Sequence, residues 1–148
     1  MFLNSTSTAY TGQPVSGHLV SSAGDVAAEK VVQLHPRIRG GLPPRALRRV
    51  RDFIEAHLEE NISIQALASI AGLSMYHFAR AFKQSDGMTP HEYLIQCRVR
   101  RAKDLLVETD LSLSEIALAA GFSDQSHCAR RFREHVGVTP SSYRWSLR

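Results

Sequence analysis

The sequence predicts an all-α fold: seven helices forming two helix-turn-helix subdomains joined by a long linker helix. Three observations carry that expectation. Helix-start and helix-stop residues alternate in order from Pro43 to the end of the chain, with no credible strand between them. Apolar residues recur at helical spacing inside each bounded segment. The second half also repeats the first. Leu67-Ala68 matches Ile116-Ala117 and Gly72 matches Gly121 at an offset of 49. Arg80, Phe82, Gly87, Thr89, Pro90 and Tyr93 match Arg130, Phe132, Gly137, Thr139, Pro140 and Tyr143 at an offset of 50.

Residues 1–41 are rich in Ser, Thr, Gly and Ala and have little periodicity, so they read as a largely disordered tail. Within them, Asp25 to Leu34 has a marginal helical pattern. Arg37-Ile38-Arg39-Gly40-Gly41 reads either as a flexible linker or as an arm touching phosphate. Pro43-Pro44 opens the first firm helix, since proline is tolerated in an initial turn. Leu47, Val50, Ile54 and Leu58 lie on one stripe, widened by Phe53 and His57, with Asn61 as the stop. Ser63 caps a short helix holding Leu67, Ala68 and Ile70, and Gly72 ends it. Ser74 caps the next, which carries Phe78 and Phe82 on one face and ends near Asp86-Gly87.

Thr89-Pro90-His91-Glu92 satisfies three start rules together and launches a long helix to about Val107. Its buried stripe is Tyr93, Leu94, Cys97, Ala102, Leu105 and Leu106, and the bases between them face water or something anionic. Ser112-Leu113-Ser114-Glu115 is a second capping box, opening a helix with Ile116, Ala117 and Ala120 that Gly121 stops. A further helix follows to Val136-Gly137. Thr139-Pro140 opens the last, with Tyr143 and Trp145. The expected organisation is therefore a tail over 1–41 and a domain over 42–148. That domain divides into a first helix-turn-helix (42–89), a linker helix (90–108) and a second helix-turn-helix (109–148).

Composition narrows the function classes. The chain of 148 residues is 43% hydrophobic, and no apolar run approaches membrane-spanning length. Residues 1–20 lack a basic segment followed by an apolar one, so a secretory signal is not expected and the expected location is cytoplasmic. Two cysteines without CxxC spacing read as reduced, semi-buried thiols. Seven scattered histidines form no zinc-protease pattern, so neither a metal nor a cofactor is expected. Net charge is +4. Acid collects early, at Asp52, Glu55, Glu59 and Glu60. Base collects later, at Arg98, Arg100, Arg101 and Lys103, then at Arg130, Arg131 and Arg133. Such runs are commonly just solvated faces, so the motif context decides their meaning.

The change of offset from 49 to 50 puts one extra residue between Ser74 and Phe78 of the aligned repeat, where the second recognition helix begins. The two helices are thus expected to start differently and present different surfaces. With Phe78 at zero on a wheel of roughly 100° per residue, Phe82 lies about 40° away and marks the buried face. Tyr76, Ala79, Arg80 and Lys83 cluster on the opposite side, at about 100–200°. In the second helix Cys128 and Phe132 point inward, while Ser126, Ala129, Arg130 and Arg133 point out and Gln125 and His127 flank them. Arg, Gln, Ser and His suit base edges and phosphates, and Ala beside an aromatic suits a thymine methyl. A merely solvated face is the rival reading, but it ordinarily mixes acids with bases, and neither outward face carries an acid; Asp124 stands at the cap. A linker of about 18 residues spans roughly 27 Å. With the width of the flanking helices added, a separation of about 34 Å, one duplex turn, comes within reach.

The segment 42–148 resembles the DNA-binding domain of the AraC/XylS family of bacterial transcription regulators. The shared residues include Leu67-Ala68, Gly72-Leu73-Ser74, Arg80-Ala81-Phe82-Lys83 and Gly87-Met88-Thr89-Pro90. They continue through Tyr93-Leu94, Arg98-Val99, Ala102, Leu105-Leu106 and Ile116-Ala117. Gly121-Phe122-Ser123-Asp124-Gln125-Ser126-His127, Arg130, Phe132, Gly137-Val138-Thr139-Pro140 and Tyr143-Arg144 complete the likeness. The resemblance implies recognition helices near 74–84 and 124–134, each in a major groove of double-stranded DNA, and the role of an activator. Together with the wheel, it gives Ser74, Met75, Tyr76, Ala79, Arg80 and Lys83 as the first contact set. The second set is Gln125, Ser126, His127, Ala129, Arg130 and Arg133.

Two residues depart from the family pattern. Cys128 stands where Phe is usual, so looser packing is expected in the second subdomain. Arg131 replaces a small or apolar residue, either as a phosphate contact or simply as an exposed side chain. Many relatives carry a large ligand-sensing domain, for which 41 residues are too few. If the chain is complete, the likeness is expected to be to stand-alone members, controlled by abundance or partners, with no small-molecule effector site evident in this chain.

The competing reading is a protein-interaction module that keeps the fold and sequesters a regulator or RNA polymerase; the polar outward faces argue against it. RNA polymerase also stands as a second partner beside DNA. An enzyme is not expected, because no Asp, Glu or His forms a constellation with a nucleophile or metal set. The cysteine cluster of DNA-repair relatives is also missing.

Overall fold

The computed structural model describes residues 40–148. Of the expected tail, only Gly40 and Gly41 fall inside that range; Asp25 to Leu34 and the Arg37-Ile38-Arg39 patch lie outside the described residues. Seven helices and no strand occur among the described residues: α1 (Pro44–Ala56), α2 (Ile64–Ala71), α3 (Met75–Asp86), α4 (Pro90–Glu108), α5 (Leu113–Ala119), α6 (Gln125–Val136) and α7 (Pro140–Ser146).

Local chemistry sets nearly every boundary. Ser63, Ser74, Thr89, Ser112, Asp124 and Thr139 are N-caps, each accepting a hydrogen bond from the backbone N–H three residues on. Thr89 with Glu92 and Ser112 with Glu115 close complete capping boxes. Both glutamate carboxyls sit below their ordinary range, chiefly because the cap hydroxyl donates to them.

One boundary differs from the sequence expectation. α1 stops at Ala56, a turn before Asn61. The side chain of His57 folds back to the carbonyl of Phe53 at 2.8 Å, its ring stacked on Phe53. The carbonyls of Leu58 and Glu60 are taken by Arg98 of α4 rather than by a further helical turn. Leu58 therefore packs on the core from a turn, not from the helix.

Two apolar cores form, one at each end of α4. The first gathers Val50, Ile54, Leu67, Ala68, Phe78, Phe82, Tyr93, Leu94 and Cys97. The second gathers Ile95, Val99, Ala102, Leu105, Leu106, Ile116, Ala117, Phe122, Cys128 and Phe132. The expected linker stripe is buried throughout, and Ile95 and Val99 are buried with it. A stripe read at a single period misses them because α4 turns a different face to each core. In the first core, Phe82 meets Phe78 and Tyr93 at 5.7 Å between ring centroids. In the second, Phe132 meets Tyr143 at 5.5 Å.

Candidate nucleic-acid interface

In both lobes a short helix ends in a turn that launches a longer, outward-facing one. Gly72 donates to the Ser69 carbonyl and Leu73 to that of Ala68; Gly121 donates to Leu118 and Phe122 to Ala117. These bonds match at an offset of 49. The caps that follow, Ser74 and Asp124, match at 50. The extra residue is thus Ser123, in the turn before the cap, not in the helix after Ser74 as the alignment implied. A carboxylate caps as well as a hydroxyl, so the capping position moved on by one. Ser123 now donates to Asp124 at 3.1 Å and reaches Nδ1 of His127 at 3.3 Å. From the caps on, α3 and α6 have twelve residues each and correspond one to one.

That correspondence pairs Met75 with Gln125, Tyr76 with Ser126, His77 with His127, Ala79 with Ala129, Arg80 with Arg130 and Lys83 with Arg133. Met75, Tyr76, Arg80, Lys83, Gln125, Ser126, Arg130 and Arg133 are exposed; Ala79, Ala129 and His127 are half-buried. Ser74 is exposed, but its hydroxyl is engaged, accepting from the His77 N–H and lying 2.7 Å from His77 Nδ1. The buried face opposite is formed by Phe78, Ala81 and Phe82 in α3 and by Cys128 and Phe132 in α6.

The two arginines are held differently. Arg80 donates to the Tyr76 hydroxyl at 3.1 Å and lies over its ring. Arg130 has Ser126 at the corresponding place and makes no hydrogen bond or ion pair among the described residues. His127 is drawn inward, edge-on to Phe122 at 5.3 Å. Burial, then the charges of Arg130 and Arg131, lower its pKa. The Asp124 carboxyl is lowered too, first by the His127 N–H and then by the Ser123 hydroxyl.

Three expectations need correction. Glu134 does stand at the edge of the α6 face, lining one shallow concavity with Ala129, Arg130 and Arg133; its carboxylate is taken by Arg131 at 3.0 Å. Arg131 is therefore half-buried in an ion pair rather than simply exposed. The bases of α4 are also mostly committed within the molecule. Arg98 binds two carbonyls, Arg100 pairs with Glu55 at 3.2 Å, and Lys103 lies over the Tyr143 ring; Arg100 and Arg101 are exposed, and of the two only Arg100 is paired among the described residues. Their partners lie some 40 residues away in sequence, which no local pattern reports. The same holds for Arg51, which pairs with Asp86.

Cys128 is well covered despite its size, and burial pushes its thiol up to about 11. Where the first lobe has a buried Phe78 and a half-buried Leu73, the second has Cys128 and a buried Phe122. Bulk lost at one position is regained at the other within the same core.

Comparison with known proteins agrees with this geometry. A family model described as a helix-turn-helix domain matches residues 67–146. The probable transcriptional regulator LumQ of Photobacterium leiognathi is 37% identical over 99 residues, covering 67% of this chain and 40% of LumQ. The probable transcription factor PqrA of Proteus vulgaris is 37% identical over 94 residues, covering 62% of this chain and 77% of PqrA. The chain thus spans well under half the length of LumQ. Among solved structures, the DNA-binding domain of AdpA, a global transcriptional factor crystallised with a target DNA, superposes with a TM-score of 0.66 at 33% identity. That match covers 69% of this chain and 92% of that one. Two capped helix-turn-helix units on a shared linker helix, matched by these regulators, place the chain in the AraC-type helix-turn-helix family of transcription regulators.

Proposed function

We propose that this regulator binds double-stranded DNA sequence-specifically, setting α3 and α6 into successive major grooves of one duplex face, and that it acts as an activator in the cytoplasm. The observation that carries the reading is the one-to-one correspondence of two exposed, cation-bearing helix faces, each backed by its own core. The shared Ala-Arg pair, at 79–80 and 129–130, combines a small residue that admits close approach with a guanidinium suited to guanine O6 and N7. Lys83 and Arg133 lie a turn further on, where a phosphate contact positions the helix without reading sequence. Met75 and Tyr76 suit an apolar edge such as a thymine methyl; Gln125 and Ser126 suit a hydrogen-bonding edge such as adenine N6 and N7. Ser74 and His127 are already bonded within the protein, so their part is to orient the helix starts against the backbone. RNA polymerase is the second partner that activation requires.

The test is a binding titration on a duplex selected in vitro and its single-base variants. Arg130→Ala is expected to cost about 1–3 kcal/mol on the selected site and to relax the preference at one base pair. Lys83→Ala is expected to weaken all sequences alike and to reduce the salt slope by about one. Indifference of both variants to sequence and to salt would overturn the reading.

A further inference from the structure

Among the described residues, the two lobes approach each other where the end of α1 meets the turn of the second lobe. Arg98, midway along α4, reaches the residues just after α1. Its Nε donates to the Leu58 carbonyl at 3.0 Å and its Nη2 to the Glu60 carbonyl at 2.8 Å. These carbonyls lie just beyond the helix end, outside its backbone ladder; that of Glu60 also accepts from the Ile62 N–H at 3.0 Å. Against the same spot rests the turn of the second lobe. A Cβ added at Gly121 would collide with the Leu58 carbonyl oxygen and stand 2.6 Å from Arg98 Nε. A backbone carbonyl of the first lobe is thereby enclosed between a guanidinium of the linker and a bare turn of the second. At Gly72, the matching glycine of the first lobe, an added Cβ would meet nothing within 4 Å. Close approach is a feature of the second turn only.

We propose that the contact of Arg98 and Gly121 with the Leu58 carbonyl is a clasp that fixes the angle and distance between the two recognition helices, making Arg98 a positioning residue that sets the tolerated spacing of the two half-sites. The inference rests on the DNA-binding reading above. One base pair changes the separation along the duplex by about 3.4 Å and the rotation by roughly 35°. A single helix of 19 residues bends and twists, so a linker without a clasp accommodates such a step. Lobes held at a second point off the helix axis do not. Arg100 and Tyr93 brace the same end of α1 from α4, Arg100 donating to Glu55 Oε2 and the Tyr93 hydroxyl to Oε1, but neither bond touches the turn at Gly121.

The test uses the full chain as wild type, Arg98→Met and Arg98→Lys, with circular dichroism to establish folding. Duplexes carry the selected half-sites at the selected spacing and with one base pair added or removed. In the wild type a spacing change is expected to weaken binding roughly tenfold. Arg98→Met is expected to reduce that penalty to about threefold or less while the penalty for a base change within either half-site stays the same. Arg98→Lys, which keeps the charge but not the two-pronged bond, is expected to fall between, and it replaces Arg98→Met in the comparison should the latter fail to fold. A second readout needs no DNA. Spin labels on Gln84→Cys and His135→Cys, both exposed positions, are expected to give a narrow distance distribution with Arg98 in place and a broad one with Arg98→Met. An undiminished spacing penalty in Arg98→Met, or an unchanged label distribution, overturns the clasp. If the wild type instead fails to prefer the selected duplex over random sequence, the DNA reading falls, and the label distances still decide the clasp.

Discussion

The two lobes share a framework yet differ at the three places where a duplicated reader has freedom to diverge: the turn, the core position beneath the helix, and the first turn of the exposed face. The first lobe has a three-residue passage from glycine to cap, a phenylalanine at 78, and Met75-Tyr76 on its face. The second has one residue more, Cys128, and Gln125-Ser126. In each case the framework bond survives: the glycine turn closes the same two backbone bonds, the cap accepts from the third residue on, and the core remains filled. The lesson is that backbone hydrogen bonding and burial fix the scaffold, while the exposed first turn and the neighbours of the turn are released to specify two different tasks.

The sharpest way to break this comparison is at the core. Phe78→Ala is expected to cost about 3–5 kcal/mol, because a fully buried ring leaves a cavity beneath α3. Cys128→Ala, at the corresponding place, removes little more than a sulfur and is expected to cost about 1 kcal/mol, since Phe122 supplies the bulk there. Chemical denaturation of the two variants measures both, and equal costs would contradict the exchange of volume. Next come the turns. Gly121→Ala adds a backbone collision to the left-handed strain at φ 95 and is expected to cost about 2–4 kcal/mol. Gly72→Ala meets open space at φ 72 and is expected to cost about 1 kcal/mol. Thermal melting ranks them, and a reversed order would place the tight contact in the wrong lobe.

A smaller effect separates the faces. Tyr76→Phe removes the hydroxyl that holds Arg80 and is expected to weaken the selected site by about 0.5–1.5 kcal/mol. Ser126→Ala is expected to leave the freedom of Arg130 unchanged, so that its loss, if any, is confined to one base pair. The smallest effect is on pH dependence. The pKa of His127 is lowered in the folded chain from its ordinary value of 6.5. Its contribution to stability is therefore present above that value and lost as pH falls through the folded-state pKa, where the unfolded chain takes up the proton first. His127→Gln is expected to flatten the decline of stability on the acid side of 6.5 relative to wild type. A parallel decline in both proteins would show that burial and the neighbouring arginines do not lower the His127 pKa.

Most of the scaffold is legible in the sequence because its signals are local. A serine or threonine three residues before a glutamate, a proline after it and a glycine at the far end each act within one turn of backbone, and six side-chain caps form at the expected residues. The outward placement of Tyr76, Arg80, Gln125 and Arg130 is legible for the same reason, since helical period alone separates them from Phe82 and Phe132. What escapes is set at long range. Arg98 reads as one more solvated base until the end of α1 arrives beneath it, and Glu55 with Arg100, or Asp86 with Arg51, gives no local sign of pairing. The place of Ser123 escapes for a different reason. Ser and Asp are both good caps, so an alignment that matches serine to serine shifts the insertion across the helix start.

The most direct test of two unequal readers on one duplex is an equilibrium titration of the full chain against its selected duplex and two altered duplexes, each with one half-site replaced. Two readers predict that either replacement weakens binding on its own, that Arg80→Ala removes the penalty at one half-site only, and that Arg130→Ala removes it at the other only. Affinity for the selected duplex no greater than for random sequence, or both variants acting on the same half-site, would contradict it.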